Sequence, residues 1–185
     1  MTKTIYRGVH STSITFANSI KANGAAASPE GRAGAGFYLW SYVSEPTHAV
    51  ELAEDWHRDC YNRGEYGKCS EPALALLFYE IELDPAEVVN LNSTAHHEII
   101  AAKVGRAGKK AAVSKAWDDH IKGISAFRLE KMGKHLKMVE VQLPVPTTTK
   151  DRVYARRQVS LTVGGDSYIV LPNALGELKL VDVRI

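Results

Sequence analysis

Three short stretches of the chain carry side chains that can do chemistry: Tyr6-Arg7-Gly8, Gly36-Phe37-Tyr38-Leu39 and Asp166-Ser167-Tyr168-Ile169-Val170. Arg7 offers a planar fork of donors that matches a phosphate or a ribose edge. Tyr38 offers a ring that stacks on a flat heterocycle, and the glycines before it let backbone approach a ligand closely. Asp166 and Ser167 set a carboxylate beside a hydroxyl. His10, three positions after Arg7, is a second candidate for the first stretch. Each has a plainer alternative: an Arg7 surface ion pair, a capping or surface His10, and Tyr38 and Trp40 as strand core.

Two other features invite chemistry and are set aside. Cys60 and Cys69 lie nine apart beside His57, but a zinc site takes three or four ligands, so the sequence predicts two free thiols and no metal. The run GRAGAG (31–36) has the composition of a phosphate loop. In such loops the glycines follow a strand and open a helix whose N-terminus meets the phosphate; here they lead into a strand instead.

The elements that must position these residues follow from periodicity. Thr4 to Gly8 reads as a short strand, and Ile14, Ala17 and Ile20 recur at helical spacing behind Ser11, Thr12 and Ser13, any of which can cap the helix before Asn23-Gly24 stops it. Residues 25–36 are loop, and Phe37 to Trp40 an aromatic strand. Ala49, Leu52, Ala53 and Trp56 give one apolar helix face. Ala73 to Leu83 is a buried strand ended by Asp84-Pro85, and Val88 to Leu91 a short one. From 94 to 135 the pattern is helical and punctuated by glycines at 105, 108, 123 and 133, which predicts two or three short helices. Leu136–Leu143 is a strand, Pro144 to Asp151 a surface loop, and Gln158–Val163, Tyr168–Leu171 and Leu178–Ile185 are closing strands, the first two joined by a Gly164-Gly165 hairpin turn. The class is α+β, one domain over 1–185 with the helical segment inserted between sheet strands.

Composition limits the alternatives. At 185 residues with 45% hydrophobic side chains, the chain can bury a core without a disulfide framework or structural metal. No apolar run approaches the length of a membrane span, and the N-terminus lacks an apolar signal core, so a cytoplasmic protein is expected. The net charge of +2 conceals a contrast: residues 1–102 sum to −6, 103–157 to +9 and 158–185 to −1. Lys109, Lys110, Lys115, Arg152, Arg156 and Arg157 are therefore candidates for contact with a polyanion, with a solvated lysine-rich helix surface as the plain alternative.

Taken in order, the three stretches resemble the ADP-ribosyltransferase superfamily, in its PARP-like and bacterial toxin-type branches. There a short first strand ends in an aromatic residue, His or Arg, then Gly, and a helix like TFANSIKANG follows. A second strand bears Tyr after a glycine-rich approach, like GRAGAGFYLW, and a helix like EPTHAVELAEDW comes next. The overlap is strongest over 4–56 and weaker over about 157–185. The chain departs from the pattern at two points. Arg7 stands where the Tyr-bearing branch has His, and Ser-Thr-Ser, a second-strand signature of the Arg-bearing branch, occurs at 11–13. Ser167 stands where a glutamate precedes the aromatic-Ile-Val strand.

The resemblance implies an ADP-ribosyltransferase-like split sheet and a mono-ADP-ribosyltransferase, a toxin or effector acting in the cytoplasm of a cell, that moves ADP-ribose from NAD⁺ to a protein or nucleic acid. NAD⁺ is its substrate and no metal is needed. It implies NAD⁺ contacts from Tyr6, Arg7, Gly8, His10, Gly36, Phe37 and Tyr38, and catalytic roles for Arg7, Tyr38, Asp166 and Ser167. Bond cleavage passes through an oxocarbenium-like state, so Asp166, if twisted inward, substitutes for the glutamate, with Gln158 and Glu140 as distant alternatives. A NAD⁺ glycohydrolase and an inactive nucleotide-, RNA- or protein-binding module of the same fold are the competing readings. Arg7, Tyr38 and the Asp166-Ser167 pair are expected to converge on one cleft.

Overall fold

The first strand grows past its predicted end. In the computed structural model, which describes residues 2–104, 110–144 and 164–185, β1 runs Thr4–Ser13, because its whole length pairs with β3, Leu74–Leu83, from Thr4 opposite Leu83 to Ser13 opposite Leu74. Ser13 closes the strand and caps α1, Ile14–Asn23, its hydroxyl accepting the Phe16 N–H at 3.3 Å. Gly24, at φ +85°, ends that helix by donating its N–H to the Ile20 carbonyl.

The remaining elements are β2 (Phe37–Tyr42), α2 (Thr47–Asn62), β4 (Val88–Asn90), α3 (Thr94–Val104), α4 (Lys110–Met132), β5 (Met138–Pro144), β6 (Gly164–Val170) and β7 (Lys179–Arg184). The strands form one seven-stranded sheet in the order β4-β5-β6-β2-β1-β3-β7. Among the described residues only β4 and β5 pair in parallel. Helices and a mainly antiparallel sheet in one chain agree with the α+β class.

Two expectations change. Gly164 and Gly165 lie inside β6, opposite Pro144 and Leu143 of β5, rather than in a hairpin turn. A Cβ on Gly165 would meet Leu52 Cδ1 at 2.5 Å and the Trp40 ring at 2.6 Å, so close packing of α2 and β2 accounts for that glycine. Gly123 breaks nothing either. α4 continues through it for 23 residues, and the helix ends at Gly133, φ +64°. The predicted strand 158–163 and Gly105 and Gly108 lie outside the described residues.

Alternation along the strands sorts side chains onto two faces. One carries Val9, Trp40, Leu76, Phe78, Val139, Val141 and Ile169, and α2, α3 and α4 cover it with Leu52, Ile100, Trp117 and Ile121. The other carries Phe37, Leu39, Leu77, Tyr79, Met138 and Tyr168 beneath α1 and the turn Pro172–Glu177. Several basic residues of the +9 segment work inside this frame. Arg128 donates to the Ala86 and Val88 carbonyls at 2.7 and 2.8 Å, Lys134 pairs with Asp84, and Lys137 bridges Glu87 and Glu177 at 3.0 and 2.7 Å. Among the described residues no helix is long and apolar enough to cross a membrane.

Candidate functional site

The three motif-bearing strands are neighbours in the sheet, in the order β6-β2-β1. Arg7 stands opposite Tyr42, Val9 opposite Trp40, Trp40 opposite Ser167 and Tyr38 opposite Ile169. Parity with Val9, Trp40 and Ile169 puts Arg7, Tyr38 and Ser167 on the face beneath α2 and α4. Tyr6, Gly8, His10, Phe37 and Asp166 fall on the other face. The predicted set is thus divided by the sheet.

On the first face Arg7 and Tyr38 are four β2 positions apart, ~13 Å at about 3.3 Å per residue. Buried Val9 and Trp40 fill the space between them. Arg7 donates from Nε to Glu80 Oε1 at 2.7 Å, with both side chains about one-third exposed. A pair this open to water contributes no more than about 1 kcal/mol. Tyr42 lies in the same field; burial raises its phenol, Arg7 lowers it and Glu80 raises it again.

Tyr38 is held differently. Its hydroxyl accepts the Ala33 N–H at 3.0 Å and donates to the Gly34 carbonyl at 2.5 Å, which folds the glycine-rich loop back over the ring. Burial drives this phenol well above its usual range, against the Ala33 N–H bond and with help from the Asp118 carboxylate. A Cβ on Gly31 would sit 2.0 Å from the Tyr38 oxygen, and one on Gly36 would sit 2.4 Å from Ile169 Cγ2. From the far side Asp118 of α4 accepts the Ala35 N–H at 2.6 Å. Gly34, at φ +96°, lies between these two grips. Beside the loop opens a cavity of about 310 Å³ lined by Arg32 and Ala33, His97 of α3, Val113 and Trp117 of α4, and residues 141–143 of β5. Arg32 stacks on Trp56 at 4.5 Å, and among the described residues no carboxylate lines the cavity. Ser167, 1% exposed, lies in the sheet beneath it, opposite Val141, and donates to the Gly165 carbonyl at 3.2 Å.

On the second face His10 is bonded through Nδ1 to the Tyr38 carbonyl at 3.0 Å. A carbonyl only accepts, so Nδ1 bears the proton. Burial pushes the imidazole pKa down, against the opposing effect of that bond. Its ring lies 4.4 Å from Phe37, which meets Tyr79 edge-on at 5.3 Å. Leu39 closes over Gly8, where a Cβ would come within 2.6 Å. Tyr6 meets Tyr168 edge-on at 5.6 Å, and its phenol is raised by burial first and Glu140 second. Asp166 is exposed and accepts from Gln142 Nε2 at 3.0 Å; Glu140 accepts from Asn90 at 2.9 Å.

Sequence reasoning missed Asp118 and Glu80. The helical spacing of Ser114, Asp118 and Ile121 on one turn-related face of α4 was the available signal for Asp118. Glu80 gave none, because its pairing with Arg7 spans 73 positions and depends on strand register. Among the described residues no group of three or more His, Cys, Asp or Glu side chains is placed to hold a metal ion. Cys60 and Cys69 are free thiols. Cys60 accepts from Arg63 at 3.3 Å, and its pKa is pushed up to about 11, chiefly by burial. Of the candidate polyanion contacts, Lys115 faces Asp119 at 3.5 Å in solvent; Lys109, Arg152, Arg156, Arg157 and the side chain of Lys110 lie outside the described residues. No family model matches the chain, and neither a curated protein nor a solved structure matches it.

Proposed function

We propose that this protein is a NAD⁺-dependent mono-ADP-ribosyltransferase, a toxin or effector acting in a cell's cytoplasm, with an ADP-ribosyltransferase-like sheet. The observation that carries the reading is the adjacency of β6, β2 and β1, which brings together motifs separated by up to 160 positions in the chain and sets Arg7, Tyr38 and Ser167 on one face. In the reaction the bond between ribose C1′ and the nicotinamide nitrogen breaks, and its electron pair leaves with nicotinamide. A nucleophile on a protein or nucleic-acid acceptor adds to C1′ and loses its proton. Arg7, exchanging Glu80 for a phosphate, is the anion-binding fork. The cavity beside the Tyr38 loop has an aromatic wall and a guanidinium, and offers room for a heterocycle and its ribose.

The test is to incubate the protein with NAD⁺ and follow free nicotinamide with and without cell lysate. Release that rises with lysate supports transfer; release indifferent to lysate marks a glycohydrolase; absence of release in both refutes the enzymatic reading. A second reading, an inactive binding module of the same fold, is favoured by one observation. Ser167 occupies the position of the expected carboxylate, while Asp166 points to the opposite face.

A further inference from the structure

Helices α3 and α4 carry three histidines, His96 and His97 in the first turn of α3 and His120 in α4. They divide between two settings. His97 lines the cavity and meets Trp117 edge-on at 5.4 Å. His96 turns to α4 instead, where its Nδ1 lies 2.9 Å from His120 Nε2, a contact across 24 positions that ties the two helices together. Both residues of the pair are half-buried, with part of each open to solvent. Trp117, a wall of the cavity, also meets His120 edge-on at 6.3 Å.

We propose that His96 and His120 form a binding site for a divalent transition metal of the nickel(II) or copper(II) class, bridging α3 and α4 beside the cavity. The site goes beyond the proposed function and does not depend on it. Imidazole nitrogen is a ligand these metals favour, and above about pH 6.5 an ordinary imidazole is mostly neutral. Each neutral ring has one N–H and one lone pair, so in the pair one ring donates its proton to the other's lone pair. Moving that proton to the donor ring's far nitrogen turns both lone pairs inward, with no proton gained or lost. Two metal–nitrogen bonds of ~2.0–2.1 Å that span 2.9 Å enclose an angle of about 90° at the metal. That is the cis angle of the square-planar and tetragonal centres that nickel(II) and copper(II) adopt, whereas tetrahedral zinc asks for a span of about 3.3 Å. The rings now lie nearly nose to nose, with centroids 5.1 Å apart and planes tilted by 58°. Rotation about χ2, a broad torsion in histidine, swings both nitrogens toward a common point. Two protein ligands are fewer than a closed structural centre uses, and among the described residues no third His, Cys, Asp or Glu joins them. The other coordination positions are therefore open to water or an exchangeable ligand. A metal held here cross-links the helices whose His97, Val113 and Trp117 wall the cavity.

The test is calorimetric titration of the full chain, stripped with a chelator and dialysed, with nickel(II) chloride and separately with zinc(II) chloride at about pH 7.5, where histidine is neutral. The proposal predicts one nickel(II) per chain, bound more tightly than zinc(II). Changing a group that only orients a ligand costs about 10–100-fold in metal affinity, so His96→Ala and His120→Ala, which each remove a ligand, should lose about tenfold or more. His120→Gln keeps an amide to hydrogen-bond His96 and should lose as much, and melting without metal reports whether each variant is folded. His48→Ala, at an exposed histidine of α2, should bind as the wild type does. Nickel(II) should raise the melting temperature of the wild type and slow amide exchange in α3, and do neither in His120→Gln. Paramagnetic resonance of the copper(II) complex should show two imidazole nitrogens, one fewer in His96→Ala. No saturable nickel(II) binding by the wild type overturns the proposal. So does binding undiminished in either folded His96→Ala or folded His120→Gln, which marks adventitious metal at other side chains, and so does a histidine-dependent site that takes zinc(II) more tightly than nickel(II).

Discussion

Replacing Tyr38 with Phe isolates the hydroxyl that folds the glycine-rich loop. The ring remains against Ile169 and the core, and two hydrogen bonds disappear, one from the Ala33 N–H and one to the Gly34 carbonyl. Each contributes about 1 kcal/mol net, and an amide left unpaired in a buried place costs about 1–3 kcal/mol more. Ala33 is 2% exposed, so the second cost applies in full unless the loop opens. The sum is a destabilisation of roughly 3–5 kcal/mol, a large part of the total stability of an ordinary domain. Urea unfolding measures it, with the slope of the transition checked for constancy, and amide exchange at Ala33 locates it. A loss under about 0.5 kcal/mol with unchanged Ala33 exchange would refute the reasoning, because the hydroxyl would then be doing no more than facing water.

Two glycines should respond in opposite directions. Gly8→Ala forces a Cβ to within 2.6 Å of Leu39 Cβ and is expected to cost about 1–3 kcal/mol, whereas Gly123→Ala, with open space around the new methyl inside α4, is expected to gain about 1 kcal/mol; chemical denaturation of both variants checks the signs. Stability should also depend on pH. Burial holds the His10, His57 and His120 pKa values below that of a free imidazole, so the unfolded chain takes up protons that the folded one refuses as pH falls through about 6.5. The melting temperature should therefore fall between pH 7.5 and 5.5, with a shallower slope in His10→Asn; equal slopes in the variant and wild type would refute the assignment for His10.

Much of this architecture was legible because local chemistry and tertiary packing agree. Ser13 caps where the Ser-Thr-Ser run allowed a cap, and Gly24 stops α1 where Asn23-Gly24 announced it. Agreement failed where packing decides. The Gly164-Gly165 pair has the chemistry of a turn, but Trp40 and Leu52 occupy the space a Gly165 side chain would need, and β5 pairs with both residues as strand. Gly123 weakens α4 locally, yet Trp117 and Ile121 before it, and Ile124 and Arg128 after it, anchor the helix on both sides. For the site, the motif strands were readable one by one. Their division between two faces was not, since that depends on the parity of each residue within its pairing, and a single step moves a side chain through the sheet. Asp166 and Ser167 show the consequence. The register of β1 against β3 hid another, because it places Glu80 opposite Arg7.

The central claim is that the adjacent motif strands form a NAD⁺-cleaving, ADP-ribose-transferring centre. Incubating the wild-type protein and Arg7→Ala with adenine-labelled NAD⁺ and cell lysate, and counting label in the acid-insoluble fraction beside free nicotinamide, tests it directly. The account predicts insoluble label accompanied by released nicotinamide in the wild type and a large loss of both in Arg7→Ala. Absence of both label and nicotinamide from the wild type, or undiminished transfer by Arg7→Ala, would contradict it.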